Sequence, residues 1–141
     1  MILTDGELHE MSPLALAHMG DAVYEVLVRR EICRRGRFRV EELHRETVKF
    51  VSAGAQAAAA RKLLPHLSEA ESAVYRRGRN CRSHAAPKAV TEGEYHAATG
   101  LEALFGWLYF RDEKERIEEL FSVILEDDHA AGCDGTASPA P

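Results

Sequence analysis

Two acidic residues stand in apolar, glycine-marked stretches of this chain of 141 residues. Asp21 follows Gly20 in MGDAVYEVLVRR, residues 19–30, where apolar residues recur at helical spacing. Glu102 is the one charged residue of AATGLEALFGWLYF, residues 97–110. A buried carboxylate is costly unless it is paired, protonated or bound to a metal. If the two helices face each other, both carboxylates can bind one Mg²⁺, which favours carboxylate oxygens and keeps several water ligands.

A metal at this place would activate water and stabilise charge on a phosphoryl group. Each carboxylate also has a structural alternative, because a buried acid can cap a loop or pair with a buried arginine. Glu25 and His18 lie one turn from Asp21. We interpret Glu25 as a solvated or ion-paired residue and His18 as a packed or partly exposed one.

Basic residues are unevenly distributed along a chain whose net charge is −5. Residues 1–90 contain 15 Lys and Arg against 11 Asp and Glu, whereas residues 91–141 have a balance of −9. The segment RRGRNCRSHAAPK, residues 76–88, has four arginines, one lysine and no acid, which favours phosphate binding over a merely solvated loop. The six arginines of residues 29–39 surround a helix end, where basic residues complement the helix dipole, so we interpret them as structural.

The elements that must position these residues are helices, and no segment reads convincingly as a strand. Ser12 and Pro13 predict a helix start, as do the Ser68–Glu71 and Thr91–Glu94 pairs. The sequence therefore predicts an all-α domain with five main helices, at about residues 12–35, 40–64, 68–78, 91–110 and from 112 onward. The predicted organisation is an N-terminal extension at 1–11, a catalytic domain at 12–127 and a disordered tail at 128–141.

The cysteines and the apolar runs indicate the compartment. Three widely spaced cysteines argue against a disulfide framework and a zinc site, and they suit a reducing cytoplasm. No apolar run approaches the roughly 20 residues that span a bilayer. The acidic N-terminus lacks the features of a signal peptide. We therefore predict a cytoplasmic protein without a membrane segment.

Four segments in this order resemble the short bacterial Mini-ribonuclease III branch of the ribonuclease III family. The resemblance covers about residues 12–125, and the four segments are specific together although each would be weak alone. They are LALAHMGDAVYEV (14–26), VSAGAQ (51–56), RGRNCRSHAAPK (77–88) and AATGLEALFGWLY (97–109).

The resemblance implies a homodimeric, all-α endonuclease that cuts double-stranded RNA with Mg²⁺, for which Mn²⁺ can substitute. It also implies maturation of the ends of the 23S ribosomal RNA precursor, with a ribosomal protein as a further partner. Asp21 and Glu102 become the metal-binding catalytic pair. The expected RNA contacts are Arg76, Arg77, Arg79, Asn80, Arg82, Ser83 and Lys88, with Ser52 and Gln56 as additional polar contacts.

The sequence departs from full-length ribonuclease III at two of its four acidic positions. Ala17 stands four residues before Asp21, and Thr99 stands three residues before Glu102. The number of metals and the ligand set therefore stay open. Two alternative functions also stay open: a catalytically silent domain that binds structured RNA, and a helical adaptor that would need an exposed apolar stripe without a basic loop. Retention of both carboxylates favours the enzyme.

Overall fold

The computed structural model describes residues 3–36, 39–81 and 90–133, with side chains described through residue 126. These residues contain α-helices and one short 3-10 turn and no strand, which confirms the all-α prediction. None of the helices searched in these ranges is long and apolar enough to cross a membrane. The helices are α1 (Asp5–Glu10), α2 (Pro13–Arg35), α3 (Val40–Val51), α4 (Ala53–Leu63), α5 (Glu69–Arg79), α6 (Glu92–Phe110) and α7 (Lys114–Cys133), with the 3-10 turn at Leu64–His66.

The helix that carries Glu102 is the centre of the fold. α6 packs against α2, α4, α5 and α7. The side chains of Leu101, Leu104 and Leu108 are fully buried. Phe105 is also fully buried and meets the ring of Tyr24 from α2 edge-on, with ring centroids 5.4 Å apart. Each such side chain stabilises the fold by about 1.5–3 kcal/mol through loss of contact with water. The prediction that this helix is largely buried is confirmed.

Several helix starts follow directly from the sequence. The hydroxyl of Ser12 accepts the N–H of Ala15 at 3.1 Å, and Pro13 occupies the first turn of α2. At the start of α5, Ser68 and Glu71 form a reciprocal capping box. These caps satisfy amide groups that have no partner within the helix.

The structure differs from the predicted helices in three places. The helix predicted over residues 40–64 is divided at Ser52, whose backbone is extended (φ −62°, ψ 153°) and whose hydroxyl caps α4. The predicted N-terminal extension contains α1, which starts at a capping box between Thr4 and Glu7. At the other end, α7 continues to Cys133, past the predicted start of the tail. Residues 134–141 lie outside the described part of the chain.

α1 supports the helices around the site. Leu8 is buried against Leu16 and Ala17 of α2, Val74 of α5 and Ala103 of α6. Asp5 also forms an ion pair with Arg111 just after α6. The segment before α2 therefore fills the junction of α2, α5 and α6.

Candidate active site

Two glycines allow the backbones of α2 and α6 to touch. A Cβ atom added to Gly20 would lie 1.6 Å from the carbonyl oxygen of Glu102. A Cβ atom added to Gly106 would lie 1.9 Å from the carbonyl oxygen of Leu16. Both distances are far below any van der Waals contact, so neither position accepts a side chain. Gly20 is therefore needed for the crossing even though glycine is unfavourable inside a helix.

The crossing brings Asp21 and Glu102 together. Glu102 is half-buried, and its carboxyl group interacts directly with that of Asp21. Burial, followed by hydrogen bonding to Asp21 and repulsion from it, raises the pKa of Glu102 to about 8. Asp21 is exposed, so the expectation that both carboxylates are buried does not hold for it. One carboxylate is sheltered and the other faces solvent.

Within the described part of the chain, the residues around this pair add no acidic group that completes a metal site. Ala17 is buried in the cluster filled by Leu8, and the hydroxyl of Thr99 donates to the carbonyl of Tyr95 at 2.9 Å. Glu25 pairs with Arg29 at 2.8 Å, in agreement with its interpretation as an ion-paired residue. Among the described residues, no group of three or more His, Cys, Asp or Glu side chains is placed to hold a metal ion.

Two adjacent carboxylates nevertheless fit a hydrated divalent cation. Burial, followed by the hydrogen bond to Asp21 and repulsion from it, raises the pKa of Glu102, and a cation between the two carboxylates would offset the repulsion. Mg²⁺ can be held by one or two carboxylates when water fills its other positions. The donor set is therefore suited to such an ion.

The C-terminal end of α5 lies beside the same part of α6. Gly78 is buried against Thr99, Gly100 and Ala103, within one turn of Glu102. Arg79 stacks over the ring of Tyr75, 5.9 Å from its centroid, and its Nε donates to Asn80 Oδ1 at 3.3 Å.

Arg76 and Arg77 are exposed at this end of α5. With Asn80 they line a groove that reaches Pro13 at the start of α2. Neither arginine has an ion-pair partner within the ranges that the structure describes. Of the other residues predicted to bind RNA in this segment, Arg82, Ser83 and Lys88 lie outside those ranges.

Known proteins share this combination of fold and sequence. The profile of the family described as "Ribonuclease III domain" matches residues 14–113. A "Mini-ribonuclease 3" of Symbiobacterium thermophilum is 48% identical over 82% of this chain and 89% of its own length. The chain belongs to the ribonuclease III family. A second "Mini-ribonuclease 3", from Clostridium tetani, is 39% identical over 86% of this chain and 82% of its own length.

A crystal structure from Fusobacterium nucleatum shows the same fold. It has a TM-score of 0.77 at 26% identity and covers 86% of this chain and 98% of its own. The resemblance to the Mini-ribonuclease III branch is confirmed, and with it the activity of an endoribonuclease that acts on double-stranded RNA. Ribonuclease III enzymes depend on a divalent metal, which agrees with the carboxylate pair.

Ser52 and Gln56, which the sequence predicts as RNA contacts, differ in exposure: Ser52 is exposed and Gln56 is buried. The hydroxyl of Ser52 accepts the N–H of Ala55 at 3.3 Å and so caps α4. Gln56 is only 3% exposed. The side chain of Gln56 therefore offers almost no surface to a duplex, which is evident only once α4 is packed on α6.

The four described arginines of α2 within residues 29–39 form ion pairs with acidic residues of the fold. Arg30 binds Glu118 of α7 through two hydrogen bonds of 2.6 Å. Arg34 and Arg35 both donate to Glu31, at 2.6 and 2.9 Å. These contacts confirm the structural interpretation for the described arginines of α2, while Arg37 lies outside the described residues.

Sequence reasoning missed an apolar groove beside Asp21. Val26 is 65% exposed and Tyr109 is 47% exposed, although both are large apolar side chains on helices that also build the core. The spacing of the α2 residues, at Met19, Val23 and Val26, was visible as a helical stripe, but the sequence did not show that part of it stays uncovered. The groove is lined by Met19, Ala22, Val23, Val26, Leu27, Tyr109 and Ile117, with Arg30, Lys114 and Glu118 at its edge.

Proposed function

We propose that this ribonuclease III enzyme matures the ends of the 23S ribosomal RNA precursor by Mg²⁺-dependent hydrolysis at Asp21 and Glu102. The observation that carries the proposal is the direct interaction of the two carboxylates across a crossing that two glycines keep tight. Mn²⁺ can replace Mg²⁺, because both ions favour carboxylate and water ligands.

In this mechanism, the carboxylates of Asp21 and Glu102 would hold the cation. The raised pKa of Glu102 means that its proton must leave before it binds the metal. A divalent cation held there would supply an activated water and would stabilise the charge that develops on the scissile phosphate. Burial of Glu102 in α6 limits its motion, whereas the exposed Asp21 faces the side from which RNA arrives.

The basic end of α5 binds the RNA backbone in this proposal. Arg76 and Arg77 are not neutralised by acids of the described chain, so they are available to phosphates. Arg79 and Asn80 are ordered by their contacts with Tyr75 and with each other. An A-form duplex is recognised largely by its shape and by its phosphates and 2′-hydroxyls, which suits a groove of arginines and an amide.

The enzyme acts as a homodimer in this proposal, and the groove beside Asp21 is the interface. Exposed apolar patches rimmed by charged residues are typical of sites where proteins associate. A twofold axis at this surface would bring two copies of α2 together and direct the two carboxylate pairs toward the two strands of a duplex. A dimer interface at this groove also explains why Val26 and Tyr109 are exposed in one copy of the chain.

The cellular setting completes the proposal. We place the enzyme in the cytoplasm, where Cys33 and Cys81, which form no disulfide, would remain reduced. A ribosomal protein bound to the precursor is the further partner. Its requirement is tested by comparing protein-free precursor with precursor that carries ribosomal proteins as substrates.

The experiment for this proposal is cleavage of a duplex that contains the paired ends of the 23S precursor. Asp21→Asn and Glu102→Gln should lower the rate at saturating Mg²⁺ at least about a thousandfold, because each removes a charged ligand. Glu25→Gln, one turn from Asp21, is the matched control and should stay near the wild-type rate. Variants that cut like the wild type would reject the catalytic pair, and a wild type that binds but never cuts would favour a silent RNA-binding domain.

A further inference from the structure

The basic end of α5 approaches α6 through a glycine that the mechanism does not use. A Cβ atom added to Gly78 would lie 2.8 Å from Ala103 Cβ, 2.9 Å from Gly100 Cα and 3.2 Å from the carbonyl oxygen of Thr99. The two shorter distances are ones that real Cβ atoms essentially never show. A side chain at this position would therefore force α5 and α6 apart.

The facing residue of α6 is equally restricted. A Cβ atom added to Gly100 would lie 2.8 Å from both the ring and the carbonyl oxygen of Tyr75. Tyr75 in turn supports Arg79, which stacks over its ring. The approach of α5 to α6 thus sets where the ring of Tyr75 lies, and the ring sets where Arg79 lies.

The approach of α2 to α6 is made by different residues. Gly20 and Gly106 allow α2 to contact α6 at Glu102. Gly78 and Gly100 allow α5 to contact α6 on a different side, one turn before Glu102. The first contact sets the separation of the two carboxylates. The second sets the separation between Glu102 and the arginines at the end of α5.

We infer that Gly78 is a positioning residue, which holds the basic end of α5 at the distance from the carboxylate pair that a bound duplex requires. The inference rests on the proposed function of that pair and of the arginines. It assigns to Gly78 an effect on RNA binding alone, because the contact between α2 and α6 does not include it.

The test is Gly78→Ala, compared with Gly93→Ala on the same helix as Glu102. An added Cβ at Gly93 meets nothing within 4 Å, so the same chemical change there should leave the kinetics unchanged. Gly78→Ala should raise KM for the duplex about tenfold, because a displacement of the arginines on the order of 1 Å misplaces phosphate contacts. It should leave kcat at saturating RNA within about twofold of the wild type.

Two further readouts separate positioning from general damage to the fold. The stabilisation of Gly78→Ala by Mg²⁺, measured as a shift in thermal unfolding, should equal that of the wild type because the carboxylate pair is untouched. The dependence of duplex binding on salt should become shallower, since fewer phosphates are contacted. An unchanged KM, or a fall in kcat that exceeds the rise in KM, would overturn the inference.

A second substitution provides partial rescue. Ala103→Gly removes the methyl group nearest to the added Cβ, so Gly78→Ala with Ala103→Gly should have a KM between those of Gly78→Ala and Ala103→Gly alone. If Gly78→Ala does not fold, the double variant is compared with Ala103→Gly, and an equal KM overturns the inference. Full activity of Asp21→Asn would instead reject the proposed function, whatever Gly78→Ala does.

Discussion

Two carboxylates of this protein lie in opposite electrostatic environments. Glu31, near the C-terminal end of α2, accepts hydrogen bonds from Arg34 and Arg35, and its side chain is 9% exposed. The hydrogen bond from Arg34 is the main cause that lowers the pKa of Glu31 to about 2. Glu102 instead faces another carboxylate, and burial and Asp21 raise its pKa to about 8.

The arginines differ in the same way. Those in the second half of α2 are paired with glutamates on α2 or α7, and they stabilise the fold. Arg76 and Arg77 at the end of α5 have no such partner among the described residues. The number of arginines in a segment therefore does not indicate its capacity to bind RNA. The carboxylate pair and the unpaired arginines Arg76 and Arg77 both lie near the junction of α2, α5 and α6.

The largest effect should come from removing the unpaired arginines. Arg76→Ala with Arg77→Ala should weaken duplex binding about ten- to a hundredfold and reduce the slope of log K against log salt by about 1.5–2. Arg34→Ala with Arg35→Ala removes the same charge from the paired cluster. At a temperature where circular dichroism shows both variants folded, that control should keep the wild-type salt slope. Equal losses of duplex affinity and of salt slope in the two double variants would show that the two arginine clusters do not differ in RNA binding.

The next effect concerns the stability of the metal-free protein as a function of pH. Between about pH 4.5 and 8, folded Glu102 keeps a proton that the unfolded chain has lost, so the free energy of unfolding falls as pH rises. Glu102→Gln removes this pH-dependent decrease in the free energy of unfolding. The variant should therefore be about 1–3 kcal/mol more stable than the wild type at pH 8. Urea unfolding at pH 5 and pH 8 measures it. A wild type that is more stable than Glu102→Gln at pH 8 would contradict the raised pKa.

Glu31 should show the opposite dependence, at lower pH. Its pKa is depressed in the folded state, so its contribution to stability is present above about pH 4.5 and is lost as pH falls toward 2. Glu31→Gln should destabilise the protein at pH 7 by about 1 kcal/mol, with the effect reduced because Arg34 and Arg35 are partly exposed. Cleavage per folded molecule should be unchanged. A catalytic defect larger than the folding defect would give Glu31 a role beyond the fold.

The smallest effect is expected for the exposed pair of Arg30 and Glu118. Both side chains are about half-exposed, so Arg30→Ala should lower the free energy of unfolding by only about 0.2–1 kcal/mol in spite of two short hydrogen bonds. Thermal unfolding at low and high salt measures this change. A loss above about 2 kcal/mol would mean that paired arginines contribute more to the fold than this account assigns.

The sequence predicted the meeting of Asp21 and Glu102 because both signals are local. Each residue is a lone acid in an apolar helical stretch with an adjacent small residue, and the small residues indicated a close crossing. The capping box at Thr4 and Glu7 is an equally local signal and marks the start of α1. The break at Ser52 was harder to predict, since the alanine-rich α4 favours continuing the helix.

Long-range contacts explain the remaining differences. The partner of Arg30 lies 88 residues away, so no pattern near Arg30 indicates that it is paired. Burial of Gln56 depends on the packing of α4 against α6. The exposure of Asp21 depends on which part of the apolar stripe on α2 the other helices cover. These properties arise from tertiary structure, and a single sequence does not encode them as a local pattern.

Thermal unfolding in a Mg²⁺ titration at pH 8 tests the central claim, that Asp21 and Glu102 form one metal-binding centre. The wild type should be stabilised in proportion to the logarithm of Mg²⁺ above its dissociation constant, because the ion binds only the folded pair. Glu25→Gln, the neighbouring control, should be stabilised equally, whereas Asp21→Asn and Glu102→Gln should lose the stabilisation. Equal stabilisation of all four proteins would contradict the account, because it would place the metal elsewhere.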